Sequence, residues 1–424
     1  MLESFKVDDT EFKIDPDTCF WGIGEYSALE GLYNKVREDI AREMQNLRFN
    51  TDIVLLYLNP TDRCNASCPY CYLSKDIKAR KTDMSYSDIE LVVNKFIRFF
   101  DDKEVKGSII FHGAEPLLIK DDLFKIIENY KDDIFFGIQT NGFLLDEEDS
   151  TFIKDNDVKI GISLDSPYEK TDDLLRGRGH FKKINDVLDW FLGYNQLNII
   201  TTITNHNVHH LTDMVNFLAD KDVHLSLMNP VRGTEESALP FRPDSLKLAK
   251  EYINAVNRAI ELTKSGKRFV IGDFANILLG VVAPASRVLM CDISPCGGGR
   301  RFLSIAADGN AYPCGEFIGK EEFTGGNIYQ NSIDEICGSQ NFEKVRERIV
   351  EKIVECDTCL VRNMCGASCP AEIYSTDGNM YNKSFYCDFY KELIKHAFRI
   401  IYRDEVRYVL KQDVLKEIYS LKEC

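Results

Sequence analysis

The stretch Thr61-Asp62-Arg63-Cys64-Asn65-Ala66-Ser67-Cys68-Pro69-Tyr70-Cys71 sets three cysteines in a C-x3-C-x2-C spacing directly after an apolar run, residues 53–59, that reads as a strand. Three thiolates on one tight loop can ligate three irons of a 4Fe–4S cube and leave the fourth iron open. A zinc site would call for a fourth local ligand, and no histidine is close in sequence.

A regular rhythm extends outward from this loop. Further short runs rich in Ile, Val, Phe and Leu lie at 108–112, 134–140, 158–164, 198–204 and 224–229. They are mostly apolar on both faces, as buried parallel strands are. Helical patterns fill the gaps at 85–100, 120–130, 146–155, 182–192 and 209–219, with a longer one at 244–264, and several start after Asp, Ser or Thr. Six β-α repeats predict a parallel α/β sheet, either an incomplete barrel or a doubly wound sheet, because a complete eight-stranded barrel takes about 250 residues. Polar and glycine-rich positions cluster just after the strands, where such proteins place their chemistry. From about Cys291 short strands, Gly-rich turns and closely spaced cysteines replace this rhythm, and 389–421 reads as helix again.

The 424-residue chain carries 68 Asp+Glu against 52 Lys+Arg, a formal net charge of −16, which argues against general nucleic-acid binding. Its 44% hydrophobic content is enough for a sizeable core and excludes disorder as the main state. The charged N-terminus lacks the apolar region of an export signal. The most apolar stretch, 274–290, is interrupted by Gly280, Pro284, Ser286 and Arg287 and is too short for a membrane span. A cytoplasmic, reducing location is therefore expected, and the 14 cysteines call for a reason other than disulfides.

The cysteine loop resembles the signature of the radical S-adenosylmethionine (SAM) enzymes, over roughly residues 50–235. The resemblance implies a partial (β/α)6 TIM-like barrel. It also implies that the open iron chelates SAM and that cleavage of SAM yields a 5′-deoxyadenosyl radical, the cofactor supplying the chemistry and the protein the positioning. Cys64, Cys68 and Cys71 are the implied ligands. Gly113-Ala114-Glu115-Pro116 is similar to the family's GGEP motif that holds the SAM amine, with Ala in place of the second Gly. Ser163, in Gly161-Ile162-Ser163-Leu164-Asp165, matches a ribose contact, and Arg176 matches an arginine that meets the SAM carboxylate. Tyr70 is expected beside the adenine, Met228 or Asn229 in the same pocket, and Asn141, in Gln139-Thr140-Asn141-Gly142, at the end of strand three facing the substrate.

The later cysteines resemble the seven-cysteine motif of the SPASM extension: Cys296, Gly309 and Cys314, then Cys356-x2-Cys359-x5-Cys365-x3-Cys369, then Cys387, with Cys291 as an eighth thiol. Two structural zinc sites are the alternative that spacing leaves open. The resemblance assigns Cys291, Cys296, Cys314 and Cys369 to one auxiliary 4Fe–4S cluster and Cys356, Cys359, Cys365 and Cys387 to the other, giving three clusters in all. Cys19, Cys337 and Cys424 are left over. Cys337 reads as a small buried hydrophobe, Cys424 as idle, and Cys19 or Cys337 as a hydrogen-atom donor if the product were an epimer.

The expected organisation is an N-terminal extension (1–50), a radical SAM partial barrel (51–285), a SPASM domain (286–390) and a C-terminal helical segment (391–424). The expected function is a peptide maturase installing an oxidative cross-link, either a thioether, a C–C bond or an ether, in a ribosomally made precursor peptide. A sulfatase-maturating enzyme, or another SPASM dehydrogenase or epimerase, is the alternative. The expected partners are the precursor peptide and an electron donor such as flavodoxin or ferredoxin, with neither nucleic acid nor membrane. About 50 residues precede strand one, too few for a complete winged-helix leader-binding domain. In the sulfatase-maturating relatives a carboxylate directly follows the cysteine equivalent to Cys314. Here Gly315 takes that place and Glu316, the candidate catalytic base, comes one later. His112 is a candidate substrate contact.

Overall fold

The structure is a computed structural model and describes residues 2–101, 103 and 105–410. The chain divides into two compact units, each discontinuous in sequence. One comprises Asp52–Pro243 and Gly298–Glu347. The other comprises the described parts of Met1–Thr51, Asp244–Gly297 and Arg348–Cys424.

The first unit is built on six parallel strands: β1 (Leu55–Leu58), β2 (Ser108–Phe111), β3 (Phe135–Thr140), β4 (Lys159–Ser163), β5 (Leu197–Ile203) and β6 (Leu225–Pro230). They lie side by side in chain order, each bonded to the next. A doubly wound sheet reverses its order at a switch point. This one does not, so the partial (β/α)6 barrel is the reading that holds. Three strands from the cysteine-rich region extend the sheet on the other side of β1: β7 (Phe302–Ile305), β8 (Asn310–Tyr312) and β9 (Gly326–Asn327). β7 runs parallel to β1, with Phe302 opposite Leu55 and Ile305 opposite Leu58. The sequence rhythm did not predict this addition, because only the register along β1 reveals it.

Strand periodicity sorts the side chains into two faces. Leu56, Leu58, Ile109, Phe111, Ile138, Ile160 and Ile162 are buried. On the other face Tyr57, Ile110, Gln139, Ser163, Thr202 and Asn229 are only half-buried. The helices between the strands start where the sequence places good caps. Ser85 caps Tyr86–Arg98 and Asp146 caps Glu147–Asp155, both in reciprocal capping boxes. The helix Glu169–Arg176 was not read from the sequence. It is short and polar enough to look like a loop.

In the second unit, Glu3–Val7 and Thr10–Ile14 form a hairpin, with Trp21–Gly22 as a third strand. Phe5, Phe12, Trp21 and Phe398 make a cluster of ring contacts that ties this sheet to the helix Cys387–Tyr402. Trp21 Nε1 donates to the Val281 carbonyl at 2.8 Å. The helical reading of 389–421 holds to Tyr402, and its part after residue 410 lies outside the described residues. Among the described residues no helix is long and apolar enough to cross a membrane.

Ile160 is fully buried on β4 between its β3 and β5 neighbours. Ile160→Ala is expected to destabilise this unit by about 2–5 kcal/mol, measured as a lower denaturant midpoint.

Candidate functional site

The loops after β1, β2 and β3 are laced together by the backbone. Glu115 N–H donates to the Arg63 carbonyl at 3.0 Å, fastening the Gly113–Pro116 turn to the cysteine loop. Asn141 Nδ2 donates to Asn65 Oδ1 at 2.7 Å and lies 3.8 Å from Cys64 Sγ. The loop is anchored at its start by Asp83, which accepts from Thr61 Oγ1 and from Arg63 Nε. Cys64, Cys68 and Cys71 converge closely enough to influence one another electrostatically. Burial pushes the Cys64 thiol up to about 11, so only a bound cation would hold it as the thiolate that metal ligation requires.

Gly113 has φ +107°, and a Cβ there would lie 2.4 Å from Asn59 Cγ, so this turn requires glycine. Ala114 is not at positive φ, so the Gly-to-Ala departure costs the backbone nothing. The Glu115 side chain is spent inside the protein. It accepts from Leu117 N at 3.0 Å, Thr140 Oγ1 at 2.8 Å and Asn141 N at 2.8 Å. Burial raises its pKa to about 7 against these three bonds, which hold it down.

A second buried network occupies the ends of β4 and β5. Asp165 accepts from Arg176 Nε at 2.8 Å and Nη2 at 2.9 Å, from Thr202 N at 2.9 Å, and from the Tyr70 hydroxyl. Arg176, expected to meet a ligand's carboxylate, thus has its fork engaged by one within the chain, and its charge acts on the nearby Cys68 thiol. Tyr70 is held in a core cluster with Leu175, Val231 and Ala238. Asp172 accepts from Asp165 N and faces His180 Nδ1 at 2.5 Å, while His180 Nε2 faces the Asn141 carbonyl at 2.9 Å. Sequence reading missed Asp165, Asp172 and His180. The one available signal was Asp165, a carboxylate ending an apolar strand.

Ser163 lies on the half-buried face at the end of β4. Met228 does not share that face at the end of β6. It is 1% exposed and pairs with buried Thr201, while the alternation gives the half-buried face to Asn229.

Glu316 sits on the short turn Gly315–Phe317 directly after Cys314. Its carboxylate accepts from Thr234 Oγ1 at 2.9 Å and lies 3.5 Å from Arg232 Nη1. A Cβ at Gly315 would point elsewhere, 3.7 Å from each of Tyr72 Oη, His112 Cε1 and Ser304 Oγ. Ser304 Oγ is buried without a hydrogen-bond partner. Tyr72 stacks on His112, with its hydroxyl 3.3 Å from Nδ1, and burial lowers the His112 pKa to about 4, so its imidazole is neutral. Tyr72, unremarked in the sequence, has its hydroxyl pKa raised by burial and then by the nearby Glu316, Cys71, Cys314 and Cys64.

In the other unit Cys356, Cys359, Cys365 and Cys387 converge on one another. Burial raises the thiols of Cys356, to about 11, and of Cys365. Four neighbouring thiols, with those of Cys356, Cys365 and Cys387 raised by burial, suit a metal cluster and not nucleophilic chemistry. Cys19 is buried, its thiol pushed up to about 12. Cys337 ends the helix Ile333–Cys337, its thiol raised to about 11, also by burial. Neither has the character of a reactive thiol.

Residues 58–218 match the model of the radical SAM superfamily, and residues 296–360 match SPASM, an iron–sulfur cluster-binding domain. The chain is a radical SAM enzyme with a SPASM domain. It is 48% identical over 423 residues to an uncharacterized protein of Archaeoglobus fulgidus, covering 100% of both. It is 25% identical over 357 residues to a cysteine-type anaerobic sulfatase-maturating enzyme of Clostridium novyi, covering 79% of this chain and 92% of the relative. The structure of native anSMEcpe with bound AdoMet and Cp18Cys peptide shares its fold, with TM-score 0.71 and 21% identity over 83% of this chain and 98% of that one. This radical SAM enzyme is thus similar to sulfatase-maturating enzymes, one of which was solved with bound AdoMet.

Two predictions follow from the buried carboxylates. Asp165→Asn leaves Arg176 buried without its counter-charge and is expected to cost about 3–5 kcal/mol, seen as a lower denaturant midpoint of the cluster-free protein. For Glu115 the fold favours the neutral acid. The stability tied to this group is full below the ordinary value of 4.5 and is lost as pH rises through about 7. Between pH 4.5 and pH 8 the wild type should lose on the order of 3 kcal/mol relative to Glu115→Gln, measured by urea denaturation at each pH.

Proposed function

We propose that this enzyme is a peptide maturase that installs an oxidative cross-link in a ribosomally made precursor peptide. The observation that carries the reading is the position of Tyr72, which directly follows Cys71, stacks on His112 and brings its hydroxyl within 3.7 Å of where a side chain at Gly315, between Cys314 and Glu316, would begin. In this reading hydrogen abstraction, electron removal and proton removal take place around this residue. Peptide substrates are also supported by the fold shared with anSMEcpe, which was solved with a peptide bound.

In this reading Cys64, Cys68 and Cys71 hold the SAM-binding cluster, and eight further cysteines hold two auxiliary clusters. SAM supplies a 5′-deoxyadenosyl radical that takes a hydrogen atom from the substrate. The Gly113–Pro116 turn, Asn141, Ser163, Arg176 and Asn229 would surround SAM. Asp165 fixes Arg176 through Nε and Nη2 and leaves Nη1 to reach a carboxylate. Tyr70 closes the adenine side. An auxiliary cluster, when bound, would supply the one-electron acceptor and Glu316 would take the proton, so that the product would have lost two hydrogens in all. Arg232 and Thr234 orient that carboxylate. A flavodoxin or ferredoxin supplies the reducing electron.

Similarity to the sulfatase-maturating enzyme of Clostridium novyi supports a second reading, oxidation of a protein side chain without a cross-link. Against it stands Gly315: no carboxylate directly follows Cys314, and Glu316 points to Arg232 and Thr234 and not to the position a side chain at 315 would take.

The test is anaerobic incubation of the iron-reconstituted enzyme with SAM, a strong reductant and a short peptide encoded beside its gene. Loss of about two mass units, matched by 5′-deoxyadenosine and mapped by fragmentation to a new bond, is the expected result. A mapped formyl group supports the second reading, and an unchanged mass with a one-unit gain in heavy water replaces both with epimerisation. Glu316→Gln is expected to lower product about 10²–10⁴-fold while 5′-deoxyadenosine still forms.

A further inference from the structure

Arg348 is among the largest fully buried side chains of the protein, 1% exposed. Its guanidinium donates only to backbone carbonyls: Nε to Met380 at 2.6 Å, Nη2 to Ala367 at 2.9 Å and Nη1 to Ser368 at 3.4 Å. Those bonds give each guanidinium nitrogen a partner and leave its charge uncompensated. Among the described residues it has no carboxylate partner. The contrast with Arg48 in the same unit is instructive. Arg48 is buried too, but both its terminal nitrogens meet the carboxylate of Glu351, at 2.7 and 2.8 Å. Glu351 stands three positions after Arg348 in the chain, yet its charge goes to Arg48.

A buried cation without a counter-charge is strongly unfavourable, so an anion is to be sought beside it. What surrounds Arg348 is thiols. Cys296, Cys369 and Cys356 all lie within its electrostatic reach. Cys369 directly follows Ser368, whose carbonyl takes one of the guanidinium bonds. Cys356 stands beside Val350, Ile353 and Ala367, and Ala367 supplies another of the carbonyls. Neutral thiols would not balance the charge. A 4Fe–4S cube on four thiolates would, being a dianion when oxidised and a trianion when reduced.

We propose that Arg348 is the internal counter-ion of the auxiliary iron–sulfur clusters, lying between ligands of both and raising their reduction potentials. The inference rests on the reading of Cys296, Cys356 and Cys369 as auxiliary-cluster ligands. Reduction adds one electron, taken in the experiment from dithionite, and no proton. A fixed positive charge stabilises the more negative, reduced state, so Arg348 makes each cluster a better acceptor for an electron leaving the substrate. It is a positioning residue for charge and touches no reacting atom.

The test uses the full-length enzyme, reconstituted anaerobically, as wild type, Arg348→Gln and Arg348→Lys. Iron and sulfide are counted first, and the auxiliary clusters are then titrated by EPR against a potential scale. The SAM-binding cluster serves as internal reference. With iron content kept, Arg348→Gln is expected to reduce the equilibrium constant for auxiliary-cluster reduction about tenfold, a fall of roughly 59 mV for a one-electron couple. Arg348→Lys, which keeps the charge, is expected to change it less than about threefold by the same relation. Auxiliary iron lost in Arg348→Gln but kept in Arg348→Lys also supports the proposal. It is overturned if the potentials do not move in Arg348→Gln, or if lysine and glutamine lose iron equally, because the hydrogen bonds would then matter and the charge would not. A wild type holding iron for one cube only overturns the reading of the auxiliary ligands, a result the iron count separates from the others.

Discussion

Asp165 is 1% exposed at the end of a strand in an apolar sheet, and the arrangement of the strand ends follows from satisfying its charge. A carboxylate so placed is tolerable only when every oxygen is bonded and a cation is at hand. Arg176 supplies the cation from the helix after β4. Tyr70 reaches in from the cysteine loop after β1, and Thr202 N from β5. Asn207 Nδ2 donates to the Asp165 carbonyl at 2.6 Å, bringing in the turn after β5. Through Asp172 and His180 the same network reaches Asn141 after β3 and hence Asn65 in the cysteine loop. One buried charge therefore fixes the mutual placement of loops that the sequence keeps far apart. A network of this kind is stable when complete and costly when any member is missing.

Charge is handled by a different rule in each part of the molecule. Around the strand ends buried charges are neutralised by the chain itself, which leaves the site rigid before any ligand enters. Preorganisation of this kind is what positioning chemistry demands. Around the later cysteines one cation is left for a cofactor to neutralise. On the proposal made for Arg348, that region would depend on its metal for electrostatic balance as well as for cross-linking, as cluster-binding segments with little sheet structure commonly do.

The parallel strands and the intervening helices were legible because period-2 apolar runs, capping residues and the 3.6-residue pattern are local signals. The cysteine groups were legible because ligand spacing is local too. What escaped reading depends on contacts between distant residues. Arg176 was singled out for a ligand's carboxylate, but its partner within the chain, Asp165, eleven positions earlier, was not seen. Glu115 was noted for a ligand, whereas its side chain braces Thr140 and Asn141. Met228 and Asn229 differ by one position, and only the register of β6 on β5 decides which of them meets the barrel interior. Tyr72 carries no motif of its own, and its neighbours come from three separate stretches of chain.

The pairing of β7 with β1 has a consequence for how the molecule is made. β1 ends at Leu58 and its partner begins at Phe302, so roughly 250 residues must leave the ribosome between the two, on the order of 12–50 s at typical elongation rates. During that interval the six-stranded sheet can form from neighbouring segments, but β1 remains a free edge, with unpaired amides and carbonyls beside the thiols of the cysteine loop. The nascent chain is then open to edge-to-edge association and to premature oxidation of those thiols. The last of the proposed ligand cysteines, Cys387, is made later still, so the auxiliary clusters can be completed only after the sheet's own last strands have been synthesised.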